Sequence, residues 1–339
     1  MALRLSGRLR VRRLTPGRGS STRSTSGTSG IGSGILGSYD DLRAPAGPTE
    51  PAHASMADME HTSGGPSASA ASGTPGVAAT FPSMDRIHNF RGIGGLPTAD
   101  GRTTTTGLLW RSGHLARATD ADRARLVALG IRTVVDLRTD HDLAADGSDR
   151  MVEGIDHVPV AIPDDSGQGA GIRALLSQGD AAAIRSAWAD GRAAALATGG
   201  AVAMVTDPAR VAVFRMVVDV VTDPERWPLV WHCSAGKDRA GWVGTVVLLA
   251  LGVERDAIAA HYLESNVAAS SQSAALLESG WMTEEVLELA RPFMEVASGY
   301  VEAQFAAVDD HWGGAEAMLR SGFGFDDRRL ADLRDRLLD

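Results

Sequence analysis

The chain has 339 residues, 44% of them hydrophobic, enough for one large domain or two small ones around a sizeable core. Its formal charge of −9 divides unevenly: the first 38 residues carry seven arginines and no acid, which leaves −16 on the rest. So acidic a body is a poor generic binder of nucleic acid, and affinity for an anion has to come from a local concentration of donors; nor does any apolar run approach the roughly 20 residues of a membrane span.

Residues 1–80 are dominated by Gly, Ser, Thr, Ala and Pro without apolar periodicity, which predicts a disordered segment ahead of one domain over residues 81–339. The Arg-rich, acid-free start has the composition of a transit peptide without the apolar core of a secretory signal, and a true start at Met56 or Met84 is the alternative. A strand is expected over 107–110, then a helix capped by Thr119-Asp120 and closed by Gly130, then a β-branched strand over 131–137 and another over 155–160. Residues 170–221 read as mostly helical, with breaks at Gly199-Gly200 and Asp207-Pro208. A short strand over 228–231 runs straight into a loop, and an apolar helix over 240–251 leaves it. Further helices are expected over 254–266, 283–308 and 326–338, with a shorter one near 313–321. Strands alternating with helices predict an α/β fold with a mostly parallel central sheet.

The loop is Trp231-His232-Cys233-Ser234-Ala235-Gly236-Lys237-Asp238-Arg239-Ala240-Gly241, with Cys and Arg six positions apart between strand and helix. A loop of that length can curl its backbone N–H groups around a tetrahedral oxyanion at a helix N-terminus. Gly236 permits the turn, Arg239 offers a planar fork to two phosphate oxygens and Lys237 adds a point charge. The same donors favour the thiolate over the thiol, which is the form that attacks. Cys233 is the chain's single cysteine and Lys237 its single lysine, four residues apart. One cysteine excludes disulfides within the chain and makes a reduced, cytoplasmic setting the default, with export lacking a secretory signal left open.

This Cys-x5-Arg pattern resembles the cysteine phosphatases. Asn89-Phe90-Arg91-Gly92, Leu109-Trp110-Arg111-Ser112, Asp136-Leu137-Arg138, the loop itself and Tyr262-Leu263 with Ser265-Asn266 together resemble the atypical bacterial tyrosine phosphatases typified by mycobacterial protein tyrosine phosphatase B. The resemblance runs from about Phe81 to the C-terminus. It implies a tyrosine-phosphatase-like fold with a helical lid, here about residues 171–221, and a phosphocysteine intermediate. It also implies a phosphotyrosine protein substrate with dual specificity, a phosphoinositide being the alternative. The family's hydroxyl residue after the loop arginine is Ala240 here, and its Asp after Phe-Arg is Gly92. Both departures favour the rival reading of a phosphate-binding module without turnover.

Cleavage of a phosphomonoester needs a proton for the leaving oxygen, so a carboxylic acid is expected near the loop. Family spacing points to Asp164 in Ile162-Pro163-Asp164-Asp165, with Asp165 a substitute and Asp238 a competitor inside the loop. The phosphate would be held by Ser234, Ala235, Gly236, Lys237, Asp238 and Arg239. His232, Arg91, Asp136 and Arg138 are expected to support the loop, with Arg111 among the buried pairs that brace it. His88, His114, His157 and His261 lack metal-site spacing, so neither metal nor cofactor is expected.

Overall fold

The computed structural model of the protein describes residues 83–163 and 168–339. The predicted N-terminal disordered segment, Asp164 and Asp165 lie outside the described residues. The five strands are β1 (Arg91–Gly92), β2 (Leu109–Ser112), β3 (Thr133–Asp136), β4 (Asp156–Pro159) and β5 (Leu229–His232), in sheet order β1-β2-β5-β3-β4. β2, β5, β3 and β4 run parallel, while β1 is antiparallel to β2. Every residue of β2, β3 and β5 is buried, the mark of a sheet covered on both faces.

Alternation along the strands sorts their side chains between two cores. Leu109, Val135, Leu229 and Trp231 face the larger core, and Trp110, Val134 and Val230 face the smaller one with Phe90, Leu115, Leu126 and Ile131. The smaller core is covered by α1 (Asp120–Ala128), whose Thr119 cap is half of a reciprocal capping box with Asp122. A second capping box, Thr139 with Asp142, starts α2 (Asp140–Asp146) just after β3. The larger core is built on α7 (Asp238–Leu251), which is buried on nearly every side and follows β5 directly.

The long helical region consists of α3 (Gln168–Gln178), α4 (Ala181–Trp188), α5 (Arg192–Thr206) and α6 (Pro208–Val221). The break at Asp207-Pro208 is present, with Asp207 capping α6 and Pro208 at its first turn. The break at Gly199-Gly200 is absent, because α5 continues through both glycines. Two interior glycines cost about 2 kcal/mol relative to Ala, which the flanking alanines and the packing of α5 along α11 offset.

After α8 (Arg255–Leu263), the expected helix end near Asn266 is instead the start of α9 (Ser265–Glu278), a Ser- and Ala-rich helix of weak amphipathicity that periodicity does not reveal. The single helix expected over 283–308 is two, α10 (Glu284–Met294) and α11 (Ser298–Trp312), followed by the short α12 (Ala315–Ala317) and α13 (Asp327–Leu337). The α10–α11 break is pinned by Asn266, whose amide donates to Val296 O at 2.9 Å and accepts from Val296 N at 2.8 Å. α6 belongs to the larger core through Phe214, Val217, Val218 and Val221, whereas α4 and α10 build a third, separate core from Ile184, Trp188, Val286 and Ala290, joined by Met282 just ahead of α10.

Candidate active site

β5 is the central strand of the sheet, and its C-terminal end delivers Cys233 between the ends of β2 and β3. Ligand sites of open α/β sheets form at such carboxyl ends. Cys233 is 3% exposed. The chain turns at Gly236, whose φ is +71° and where an added Cβ would lie 2.3 Å from the backbone of Ser112. Only glycine satisfies both demands.

The loop carbonyls are bound from outside. The His114 N–H donates to Ser234 O at 3.0 Å, and Asn89 Nδ2 donates to Ala235 O at 3.2 Å and Gly236 O at 2.9 Å. Arg111 Nη2 donates to Gly236 O at 2.7 Å and Lys237 O at 2.8 Å. With those carbonyls engaged, the N–H groups of Ala235, Gly236 and Lys237 have no acceptor among the described residues. Unmatched loop N–H groups beside a helix N-terminus are what an anion requires.

Arg239 lies in the first turn of α7. Its Nη1 donates to Asp142 Oδ2 at 2.6 Å and to Leu137 O at 3.4 Å, which leaves the Nε and Nη2 edge of the fork without an acceptor among the described residues. Burial alone would weaken its hold on the proton, but the charges of Cys233 and Asp142 outweigh that and raise its pKa. Burial likewise opposes ionisation of Asp142, and the bond and charge of Arg239 overcome it, holding the carboxyl well below the usual range. Ser234 Oγ donates to the other Asp142 oxygen at 3.2 Å, so one carboxylate ties α2 to both ends of the loop.

Lys237 does not stand free in the loop. Its ammonium donates to Phe293 O at 2.5 Å and Glu295 O at 3.2 Å, at the C-terminus of α10, where a cation also complements the helix dipole. Asp238 is the half-exposed first residue of α7; it accepts from the Tyr262 hydroxyl at 3.3 Å and lies 3.6 Å from Lys237 Nζ. Ala240 is buried, and its carbonyl accepts from Trp231 Nε1 at 2.8 Å. An added Cβ at Gly92 would meet only ordinary contacts with Trp110 and Leu109, so the missing carboxylate is not excluded by space.

Of the expected bracing pairs, Asp136 and Arg138 join at 2.9 Å, and Arg138 also pairs with Asp149 at 2.8 Å. Arg91 is not in that group: it bonds Asn89, His261 O at 3.2 Å and Ser265 Oγ at 2.9 Å, with Glu264 at 3.6 Å. His232 is wholly buried, with Nδ1 3.2 Å from Cys233 O and Nε2 2.9 Å from Asp149 Oδ2, the latter a close contact outside hydrogen-bond geometry. Burial raises the Asp149 pKa, but His232, Arg138 and the Leu115 N–H bring it down to about 2. Asp136, Asp149 and His232 stand close enough to hold a cation, yet the Arg138 guanidinium contacts both carboxylates and supplies that charge.

Asp142, Asn89 and Asp149 escape sequence reasoning as site residues. The Thr139-x-x-Asp142 box announces a helix start, and nothing in it announces that the same carboxylate faces the loop arginine.

The tyrosine phosphatase family model matches residues 82–339. A Cupriavidus necator protein whose name places it among tyrosine-protein phosphatases is 32% identical over 268 residues, covering 75% of this chain and 87% of its own. The triple specificity protein phosphatase PtpB of Mycobacterium tuberculosis is 34% identical over 190 residues, 52% of this chain and 66% of PtpB. A Nostoc commune tyrosine-protein phosphatase is 27% identical over 239 residues, 67% of this chain and 73% of its own. The chain belongs to the tyrosine phosphatase family.

Proposed function

We propose that the chain hydrolyses phosphomonoesters through a phosphocysteine intermediate, with phosphotyrosine in proteins as the leading substrate. The observation that carries this reading is a buried Cys233 at the end of the central strand, followed by loop N–H groups without acceptors and by Arg239 with one edge of its fork uncommitted. The Cys233 thiolate attacks phosphorus in line, the P–O bond to the leaving group breaks, and a carboxylic acid gives that oxygen its proton. The N–H groups of Ala235, Gly236 and Lys237 and the Arg239 fork stabilise the equatorial oxygens. Water then attacks the phosphocysteine while the carboxylate left by the first step takes its proton, the P–S bond breaks, phosphate departs, and both the thiolate and the carboxylic acid are restored. Ala240 lacks a hydroxyl that would donate to that departing thiolate, so hydrolysis of the intermediate is the slow step.

Asp164 and Asp238 are the candidate acids. Asp238 sits at the loop's edge within reach of water, with Tyr262 orienting it. Loss of the basic limb of the pH–rate profile in Asp164→Asn or in Asp238→Asn identifies the donor. The helical stretch over about residues 171–221 serves as a lid in this reading. The name of the mycobacterial relative, triple specificity, motivates trials of phosphoserine, phosphothreonine and phosphoinositides beside phosphotyrosine peptides. The decisive assay is release of phosphate from a generic aryl phosphate, without added metal, by the unaltered protein and by Cys233→Ser. Equal rates for the two proteins would end this reading.

A further inference from the structure

Arg111 is the third residue of β2. Across the antiparallel pair it stands directly opposite Arg91, and along β5 its neighbour is Trp231. Like charges facing each other across two strands are destabilising, and a buried guanidinium is tolerated only with compensation. Both arginines are almost wholly inaccessible, Arg91 at 0% and Arg111 at 1%. Arg91 has Glu264 at 3.6 Å. Among the described residues no carboxylate comes within 4.0 Å of Arg111, and its Nε has no acceptor.

What Arg111 does contact is the outside of the loop, through two short bonds from Nη2 to the carbonyls of Gly236 and Lys237. Gly241 makes room for it, since an added Cβ there would lie 3.0 Å from Nη2 and 2.9 Å from the Tyr262 ring. The fold thus clears space on α7 to hold a cation under the loop without giving it a carboxylate. The missing negative charge is one the reaction itself places on the other side of those two peptides.

We propose that Arg111 is the buried counter-charge of the anion held by the loop, the Cys233 thiolate in the free enzyme and the phosphoryl oxygens once substrate is bound. It touches neither anion. It acts through the Gly236–Lys237 and Lys237–Asp238 peptides, whose carbonyls it binds and whose N–H groups, those of Lys237 and Asp238, it thereby orients toward the anion, and is therefore a positioning residue. This inference rests on the proposed nucleophilic role of Cys233. Other groups that act on Arg111 are Asp238 from α7, Tyr262 from α8, Glu264 just beyond α8 and Arg91 from β1. Burial pushes the Arg111 pKa down to about 10, where it remains a cation at neutral pH, and Cys233 is the foremost of the groups that draw it back up.

The test uses the full chain, in which alkylation by iodoacetamide reports Cys233 alone because no other cysteine exists. Alkylation rate against pH is measured for the unaltered protein, Arg111→Gln and Arg111→Lys, each checked for fold by circular dichroism and thermal melting. Gln can still donate to a loop carbonyl but carries no charge, whereas Lys keeps the charge and loses the two-carbonyl grip. The expected result is a midpoint moved upward by about one unit in Arg111→Gln, equivalent to about tenfold slower alkylation below both midpoints, and by less than half as much in Arg111→Lys. Should the Gln variant not fold, Arg111→Met, whose side chain suits a buried strand, is the second neutral variant. An unmoved midpoint in a folded neutral variant, or equal shifts in the neutral and Lys variants, overturns the proposal. Phosphate release by Cys233→Ser separates the two failures: activity that survives loss of the thiol ends the nucleophile reading, whereas dependence on Cys233 with an unmoved midpoint ends only the role of Arg111.

Discussion

Asp142 is the residue on which the loop arginine depends most directly. Its carboxylate takes Arg239 Nη1 at 2.6 Å, Ser234 Oγ at 3.2 Å, Thr139 N at 3.0 Å and Thr139 Oγ1 at 2.9 Å. Asp142→Asn preserves shape and lets the amide oxygen face Arg239 while its NH2 faces Ser234. What is lost is the charge, and replacing a charge-assisted bond by a neutral one costs about 1 to 1.5 kcal/mol. Asp142→Ala removes the partner altogether. Breaking a fully buried pair costs roughly 3 to 5 kcal/mol, and the partial exposure of these two side chains, 22% for Arg239 and 10% for Asp142, brings the figure to about 2 to 3. At 1.4 kcal/mol per tenfold, kcat/KM on an aryl phosphate should fall about tenfold in Asp142→Asn and about 30- to 150-fold in Asp142→Ala. Steady-state kinetics beside a thermal melt separate orientation of Arg239 from stability. A folded Asp142→Ala enzyme within twofold of the unaltered protein would refute the claim that Asp142 holds Arg239 for catalysis.

Three further outcomes follow from the same geometry. Gly236→Ala combines a left-handed φ, costing about 1 to 2 kcal/mol for an L-residue, with a Cβ 2.3 Å from the Ser112 backbone; it should abolish both turnover and the rise in melting temperature caused by inorganic phosphate, and a variant that keeps either contradicts the loop geometry. Asp149, held down at about 2 in the folded state against an ordinary carboxylate value near 3.9, contributes stability that is fully present above about pH 4 and is lost as pH falls toward 2. That window is worth about 2.5 kcal/mol, so denaturant titrations should show a smaller loss of stability on acidification in Asp149→Asn than in the unaltered protein. Lys237→Met removes both bonds to the end of α10 and should speed amide hydrogen exchange around residues 293–297 while leaving α13 unchanged; uniform protection across both proteins would deny Lys237 that role.

Much of the fold was legible because its signals are local. Thr119 capping α1, the β-branched run of β3 and the apolar run of α7 each announce their element within a few residues. α9 was not legible, since its Ser and Ala residues carry little amphipathic pattern, and the glycines of α5 read as a break because their compensation comes from packing against α11. The site divides in the same way. Cys233, Gly236 and Arg239 lie within seven consecutive residues, so a pattern finds them. Asp142 and Asn89 reach the loop from 97 and 147 positions away, and only the folded sheet brings them there, whereas Arg111, expected as a brace, reaches it from 125. Lys237 illustrates the converse: its place in the loop suggested a phosphate ligand, while its ammonium is occupied by carbonyls of α10.

The central claim is that Cys233 carries the phosphoryl group, and the most direct measurement is acid quench during turnover of an aryl phosphate, followed by peptide mass spectrometry. The expected result is one added phosphoryl group on the peptide containing Cys233, accumulating because Ala240 slows its release, and none in Cys233→Ser, which also releases no phosphate above background. Full phosphate release by Cys233→Ser would contradict it.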